Sequence, residues 1–370
     1  MIPSRQADYT QPLLSVRGLS VYFKESEEAA CQGVSFDVAA NEIIGIVGES
    51  GSGKTVSCRA LVGMLPGDAS VLGTIQFQDS TIQLSDERKL AELRGGGMSM
   101  IFQDPMSALD PLMTVRRHLA LRTREDPVQC LRQAGMAEPG SILDSHAHQL
   151  SGGQCQRVAI ACALARKPRL LLADEPTTAL DVTVQADILD QIRRLSTEQR
   201  MAVVLVTHDL AVINQLCSRV FVMHKGCVVE EGSTETVLSN PQHEYTRSLL
   251  SAIPRPAMRG HRLGLSRRDS GKSAVPHSDR DSGDSVLSFN SVSVRYQRGD
   301  GNTFTAANDV TLSLHHGEIL GLVGESGSGK TTLAKTAVGL AMPQTGSVLL
   351  GDDLLDWHRP KMSWRRDIQY

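Results

Sequence analysis

A repeated segment is the feature that most constrains this sequence. IIGIVGESGSGKT at residues 43–55 recurs as ILGLVGESGSGKT at residues 319–331, 276 residues later. The same spacing relates Val34 of GVSFDV to Val310 of DVTLSL, so the similarity extends through two strand-like runs. Self-similarity at a fixed spacing indicates a duplicated domain. The chain length of 370 residues agrees, because one hydrophobic core rarely grows beyond about 250 to 300 residues.

The segment between the two copies has the composition of a linker. Residues 255–285 are rich in Ser, Gly, Arg and Asp and contain no aromatic residue. Such a segment buries too little apolar surface to order itself. We therefore predict a first domain at 1–254, a flexible linker at 255–285 and the N-terminal part of a second domain at 286–370.

Composition narrows the classes of partner. The formal net charge of -3 and the pI of about 6.4 lack the basic signature of nucleic-acid binding, so we expect no nucleic-acid partner. The seven cysteines are scattered without a C-x-x-C pair, which favours buried thiols over disulfides or zinc. No run of about 18 apolar residues occurs, so we expect any membrane role to come through a partner.

The pattern of apolar runs predicts the fold class. Short runs at residues 43–47, 170–173 and 203–207 are strand-like, and polar or Gly-rich turns and helix-patterned stretches such as residues 184–200 separate them. This alternation predicts an α/β fold with a mainly parallel sheet.

Both copies contain the complete phosphate-loop pattern G-x-x-x-x-G-K-[ST] between a strand-like run and a helix-patterned run. Glycines let the backbone curl so that successive N–H groups face a phosphate at a helix N-terminus. We expect Lys54 to reach the β- and γ-phosphates of a nucleotide, and the hydroxyls of Thr55 and Thr331 to ligate Mg²⁺. The candidate nucleotide-binding residues are Gly48, Glu49, Ser50, Gly51, Ser52, Gly53, Lys54 and Thr55 in the first copy, and Gly324, Glu325, Ser326, Gly327, Ser328, Gly329, Lys330 and Thr331 in the second.

Four further polar residues are candidates for the chemistry. Asp174 and Glu175 follow the apolar run at 170–173, so Asp174 is placed to hold Mg²⁺ through water and Glu175 to orient and deprotonate an attacking water. His208 follows another strand-like run and is placed to bond a γ-phosphate, while Gln103 is a candidate to hold both the metal and the water. Taken singly, an acidic pair is as often a solvated turn, and a lone histidine is more often a packed or capping residue.

The segment LSGGQCQR, which includes Ser151, Gly152 and Gly153, precedes a helix-patterned run. A hydroxyl and exposed N–H groups at a helix N-terminus offer a second phosphate site, and a flexible turn before a helix is the alternative. In this order the motifs resemble the ATP-binding cassette family, with its Walker A, Q-loop, signature, Walker B, D-loop and H-loop, over nearly the whole chain.

The resemblance implies a fold and a site. The fold is a P-loop NTPase of the ABC ATPase type, with a mainly parallel sheet core, an antiparallel β subdomain and a helical signature subdomain, followed by a partial second copy. ATP, with Mg²⁺, lies between the Walker A of one cassette and the signature of another, and Asp181 crosses the dimer interface. Phe23, or alternatively Tyr22, stacks on adenine, and Tyr296 fills that position in the second copy.

Further segments narrow the resemblance. MIFQDPMSALDP and NPQHEYTRSLLSAIPR are similar to the ATPases of dipeptide, oligopeptide and nickel importers, and two cassettes in one chain is the arrangement of glutathione importers. This implies ATP hydrolysis at the cytoplasmic face of the inner membrane, two integral-membrane permease subunits, a periplasmic or extracellular solute-binding protein and a second cassette, from this chain or another. Three alternatives stay open. The cargo is nickel or another small solute, the chain is an ATPase that acts on DNA or ribosomes, or it is a remnant that binds nucleotide without turnover.

The second copy departs from the family pattern. Residues 286–370 contain a Walker A but no Q-loop, signature or Walker B, which we interpret as a truncation. We expect this copy not to hydrolyse ATP by itself. The site at Lys54 then has to borrow Ser151 from another molecule.

Overall fold

The computed structural model describes residues 12–25, 28–94, 96–178, 180–253, 285–297, 303–325, 327–357 and 368–370. The chain divides into two compact units, Met1–Arg259 with Leu263–Ser266, and Gly260–Arg262 with Arg267–Tyr370. Except for Ser285, the predicted linker lies outside the described residues. No helix in the described part of the chain is both long and apolar enough to cross a membrane.

The first unit alternates strands and helices, as the sequence pattern predicts. Two short 3₁₀ turns, Pro139–Ile142 and Ala147–Gln149, precede the helix that begins at Gly152. In chain order the elements are β1 (Leu14–Phe23), β2 (Cys31–Val38), β3 (Ile43–Val47), α1 (Lys54–Leu61), β4 (Ala69–Phe77), β5 (Ser80–Gln83), α2 (Glu87–Arg94), β6 (Met98–Ile101), α3 (Val115–Ala120), α4 (Pro127–Gln133), α5 (Gly152–Leu164), β7 (Leu170–Asp174), α6 (Val182–Gln199), β8 (Ala202–Thr207), α7 (Leu210–Leu216), β9 (Arg219–His224), β10 (Cys227–Ser233), α8 (Thr234–Ser239) and α9 (Glu244–Ser251).

A six-stranded sheet forms the centre of the first unit, in the order β10-β9-β3-β8-β7-β6. All its strands are parallel except β10, which is antiparallel to β9. Every residue of β7 and β8 is buried, as expected for parallel strands covered on both faces. The mainly parallel core is therefore confirmed, and the carboxyl ends of β3, β7 and β8 deliver the candidate residues to one edge.

Two smaller assemblies flank this sheet. Strands β2, β1, β4 and β5 form an antiparallel sheet that shares a hydrophobic core with α1 and with β3. Helices α3, α4 and α5 pack with α6 around a second core that includes Leu119, Leu131 and Val158. These assemblies agree with the antiparallel and helical subdomains that the resemblance implies.

The described residues of the second unit form a four-stranded antiparallel sheet and one helix. This unit contains β11 (Ser285–Gln297), β12 (Thr303–His315), α10 (Lys330–Ala337), β13 (Thr345–Leu350) and β14 (Asp353–Leu354), with strand order β12-β11-β13-β14. Leu333 and Ala337 of α10 pack against this sheet.

The strand predicted at residues 319–323 of this unit is wrong. These residues form no regular structure, and Ile319 and Val323 are 98% and 97% exposed. In the first unit the corresponding β3 lies between β8 and β9, which come much later in the chain. The described residues of the second unit contain no strand parallel to 319–323, so its backbone groups have no ladder to join.

Candidate functional site

The first phosphate loop joins β3 to α1, and its shape requires glycine. Gly53 precedes α1 with a left-handed φ of 96°, and a Cβ atom there would lie 2.4 Å from the carbonyl oxygen of Ala30. A Cβ atom on Gly48 would lie 2.2 Å from the carbonyl oxygen of Met223. Any other residue at these two positions has to displace backbone, so the glycines set the loop conformation.

Lys54 folds back onto its own loop. Its Nζ donates to the carbonyl oxygens of Gly48 and Glu49 at 2.8 and 2.7 Å, and to Ser52 Oγ at 3.2 Å. Burial lowers the pKa of the Lys54 ammonium, while the charges of Glu175, Asp174 and Glu49 oppose this shift. The lysine is thus held at the loop by hydrogen bonds that a phosphate oxygen can replace.

Thr55 and Asp174 meet beside the lysine. The Thr55 hydroxyl donates to Asp174 Oδ1 at 2.9 Å, and the second carboxylate oxygen, Oδ2, is buried without a hydrogen-bond partner among the described residues. Burial raises the pKa of the Asp174 carboxyl. Mg²⁺ prefers oxygen ligands and retains several waters. A hydroxyl beside a carboxylate oxygen without a partner fits the predicted role of these residues in holding Mg²⁺.

Glu175 is the most constrained acidic residue of the site. It has a left-handed φ of 46°, and 14% of its side chain is exposed. Its Oε2 accepts hydrogen bonds from Gln103 Nε2 at 3.0 Å and from Thr178 Oγ1 at 2.8 Å, and its Oε1 lies 3.0 Å from His208 Nδ1. Backbone strain that persists only because neighbours hold it is typical of functional sites.

Electrostatics keep this carboxylate charged. Burial raises the pKa of the Glu175 carboxyl, but the hydrogen bonds from His208 and Thr178 and the charges of His208 and Lys54 outweigh it, and the pKa is lowered. Glu175 is therefore ionised at neutral pH, with both oxygens directed at polar neighbours.

Ser151 and Asp181 both cap helices. Ser151 Oγ accepts from Gln154 N at 3.3 Å at the start of α5, and Gln154 Oε1 accepts from Ser151 N at 2.9 Å. Asp181 accepts from Val184 N at 2.9 Å at the start of α6. Ser151 and Gly152 are exposed and Gly153 is partly exposed, so this helix start is accessible. Their contribution to a site shared between two cassettes stays a prediction.

The aromatic candidates occupy different environments. Phe23 is partly buried against the core at the end of β1, with Tyr22 beside it, whereas Tyr296 at the end of β11 is 42% exposed. Their predicted stacking on adenine stays a prediction.

The second phosphate loop repeats the local geometry of the first. Lys330 Nζ donates to the carbonyl oxygens of Gly324 and Glu325 at 2.7 Å each, and to Ser328 Oγ at 3.2 Å. Gly329 has a φ of 93°, and Thr331 follows Lys330 in the first turn of α10. Ser326 lies outside the described residues.

Two residues at the site were not identified from the sequence. Thr178 lies three residues after Glu175 in a turn closed by a hydrogen bond from Thr178 N to the Glu175 carbonyl oxygen, so its position in the motif was an available signal. Tyr245 contacts the phosphate loop from 196 residues away, and no local pattern points to it.

Comparison with known proteins identifies the family. The family model described as "ABC transporter" matches residues 31–178 and 307–370, and the model "Oligopeptide/dipeptide transporter, C-terminal region" matches residues 229–276. These matches cover both phosphate loops and the segment that contains Tyr245.

Curated relatives and solved structures agree with this match. The chain is 41% identical over 344 residues to the peptidoglycan transport ATP-binding protein YejF of Agrobacterium fabrum, covering 88% of this chain and 60% of the relative. It is 37% identical over 394 residues to the glutathione import ATP-binding protein GsiA of Escherichia coli, covering 97% of this chain and 63% of the relative. It thus spans somewhat less than two thirds of the length of these relatives.

The fold is similar to the dimeric post-hydrolysis state of the ATP-binding cassette MJ0796 bound to ADP and Pi. The TM-score is 0.52 with 29% identity, covering 60% of this chain and 98% of the other. The predicted cassette fold is therefore confirmed. From its sheet core, its phosphate loop and the match over more than half of its residues, the chain belongs to the ABC transporter family of ATP-binding proteins.

Proposed function

We propose that the first unit binds MgATP and hydrolyses it, and that hydrolysis drives the uptake of a peptide-class solute through an ABC importer. One observation carries the hydrolytic part of the proposal. Side chains from three separate places in the chain, Gln103, Thr178 and His208, hydrogen-bond the ionised carboxylate of Glu175. A fixed carboxylate orients an attacking water and accepts its proton as the γ-phosphoryl group is transferred to that water, which yields ADP and phosphate.

The neighbouring residues bind and position the nucleotide. Lys54 exchanges its contacts with the loop carbonyls for the β- and γ-phosphate oxygens, and the loop N–H groups surround the phosphates. Thr55 and Asp174 would hold Mg²⁺, and Gln103, which donates to the neighbouring Glu175, is the third candidate ligand. Bound Mg²⁺ supplies positive charge that neutralises the charge developing on the phosphates.

A complete catalytic site needs a second cassette. Ser151, Gly152 and Gly153 of one molecule contact the γ-phosphate bound at Lys54 of another, and Asp181 lies at the interface between them. The exposed start of α5 supports this arrangement, because its N–H groups are accessible to an anion.

Several relatives support a peptide-class cargo. YejF is named for peptidoglycan transport and GsiA for glutathione import, and residues 229–276 match the C-terminal region of oligopeptide and dipeptide transporters. The proposed partners are two integral-membrane permease subunits and a periplasmic or extracellular solute-binding protein. The proposed location is the cytoplasmic face of the inner membrane.

A second candidate function is nucleotide binding without turnover. It is favoured by the second unit, where the apolar residues before the phosphate loop are exposed and form no strand. Under this alternative both loops bind ATP and neither hydrolyses it.

The two functions differ in how ATPase activity depends on protein concentration. If Ser151 completes the site of another molecule, the specific activity of the purified chain rises with concentration. Ser151→Arg, which places a bulky cation at the start of α5, then removes this activity while MgATP binding at Lys54 is retained. ATP binding without turnover at any concentration contradicts the proposal and supports the alternative.

A further inference from the structure

Tyr245 of α9 reaches the first phosphate loop. Its hydroxyl accepts a hydrogen bond from the backbone N–H of Glu49 at 2.9 Å. The tyrosine ring stacks on the imidazole of His224, with ring centroids 3.9 Å apart and an interplanar angle of 29°. The stack fixes the direction of the hydroxyl, so this contact is a built part of the fold.

The Glu49 N–H belongs to the peptide that also holds the lysine. The carbonyl oxygen of this peptide is that of Gly48, which accepts from Lys54 Nζ at 2.8 Å. Tyr245 and Lys54 therefore bind opposite ends of one peptide unit. Hydrogen bonds arranged in such a chain polarise and strengthen one another. Loss of the tyrosine hydroxyl consequently affects the position of the peptide that directs Lys54.

A second set of contacts anchors the start of α9. The Glu230 carboxylate on β10 accepts hydrogen bonds from Gln242 N at 2.7 Å and His243 N at 3.0 Å. His243 then caps α9, since its Nδ1 accepts from Tyr245 N at 3.1 Å. β10 pairs with β9, which ends at His224, so the supports of the Tyr245 ring and backbone belong to adjacent strands.

The second phosphate loop shows that the motif alone does not create this contact. Lys330 Nζ bonds the carbonyl oxygen of Gly324 at 2.7 Å, as Lys54 does with Gly48. The N–H of Glu325, which corresponds to that of Glu49, has no hydrogen-bond partner among the residues described in that unit. The contact at Glu49 therefore depends on α9 and not on the loop sequence alone.

We propose that Tyr245 is a positioning residue for ATP binding, whose hydroxyl holds the Gly48–Glu49 peptide in the conformation that receives the triphosphate. This inference rests on the proposed nucleotide function of the same loop. Without the hydroxyl the free loop adopts more conformations. Because binding must then restrict the loop to one of them, the affinity for ATP is lower. Because Tyr245 does not touch Glu175, the chemical step is unchanged.

The test is Tyr245→Phe, which retains the ring stack and removes only the hydroxyl. We expect the Kd and KM for MgATP to rise about 5-fold, as for one hydrogen bond, and kcat to stay within about 2-fold of wild type. Hydrogen–deuterium exchange of residues 48–54 becomes faster without nucleotide. Tyr370→Phe is the matched control, because Tyr370 is 71% exposed and lies in the other unit, and it changes none of these values.

A second variant tests the anchoring of the helix. Glu230→Ala releases the turn before α9, and we expect it to weaken MgATP binding as Tyr245→Phe does. The double variant is expected to bind MgATP no more weakly than the single variant with the lower affinity. The inference is overturned if Tyr245→Phe binds MgATP with wild-type affinity and if residues 48–54 exchange hydrogen at the wild-type rate. If the wild-type chain binds MgATP without hydrolysing it and Tyr245→Phe still weakens binding, the proposed hydrolysis fails and the positioning role stands.

Discussion

The two phosphate loops have nearly the same sequence and the same local geometry, but different surroundings. Lys54 and Lys330 make the same three hydrogen bonds to their own loops. Before the first loop, Val47 is fully buried in a strand between two parallel neighbours, whereas the corresponding Val323 is 97% exposed.

The difference separates what a motif encodes from what the fold adds. Glycine positions and the lysine contacts arise within eight residues, so both loops have them. The Mg²⁺-ligand candidate Asp174, the carboxylate of Glu175 and the hydroxyl of Tyr245 come from β7, from the turn that follows it and from α9. Among the described residues, only the first loop has such neighbours. We therefore expect the ATPase activity of this chain to come from the first loop.

Substitution of the two lysines gives the largest expected contrast. Lys54→Ala removes a positive charge from the phosphates at the site that contains Glu175, and we expect steady-state ATPase activity to fall at least about 100-fold. Lys330→Ala is the matched variant and retains activity within about 2-fold. Equal losses in the two variants would mean that the second loop contributes to hydrolysis as much as the first.

Truncation of Val47 and of Val323 tests how much each segment before a phosphate loop contributes to stability. Val47→Ala leaves a cavity in a fully buried strand, and we expect a loss of about 2 kcal/mol in the unfolding free energy of the first unit. Val323→Ala removes exposed atoms and costs less than about 0.5 kcal/mol. Scanning calorimetry measures both, and a large effect of Val323→Ala would mean that residues 319–323 pack in solution.

Asp174 gives a smaller effect with a defined pH dependence. Because burial raises its folded pKa above the ordinary value of 3.8, the charged form destabilises the nucleotide-free fold at neutral pH. The stability gained by protonation is fully present below pH 3.8 and is lost as pH rises through the folded pKa. We expect Asp174→Asn to raise the Tm at pH 7 by about 2 to 4 °C, as for about 1 kcal/mol in a domain of this size.

The same variant is compared with wild type at lower pH. As the solution is acidified through the raised folded pKa, wild-type Asp174 becomes protonated and the difference in Tm between the two proteins narrows. If the Tm difference stays constant with pH, or if Asp174→Asn has the lower Tm at pH 7, then burial of the charged Asp174 carboxylate does not destabilise the fold.

The sequence predicted the parts of the site that lie within short motifs. Lys54 and Thr55 begin the helix after the loop that follows β3, while Asp174 is the last residue of β7 and Glu175 follows it. Parallel strands bring their carboxyl ends together. Gln103 and His208 gained significance only together with the other motifs, and the fold places both on the Glu175 carboxylate.

The errors and omissions have physical causes as well. The strand at 319–323 was predicted from its apolar pattern, but a parallel strand forms only beside partners, and that pattern does not report them. Tyr245 depends on the stacking of α9 against the end of β9, which is a tertiary contact across most of the first unit. Short-range periodicity contains no information about such contacts.

The most direct test of the account is phosphate release by Glu175→Gln beside wild type, at protein concentrations where wild-type activity is maximal. Glutamine retains the size and the hydrogen-bonding oxygen but cannot accept the proton of the attacking water. The account predicts that hydrolysis falls at least about 100-fold while MgATP still binds with wild-type affinity. A Glu175→Gln rate within about 2-fold of wild type would contradict the assignment of Glu175 and, with it, the proposal that the first unit is the hydrolytic one.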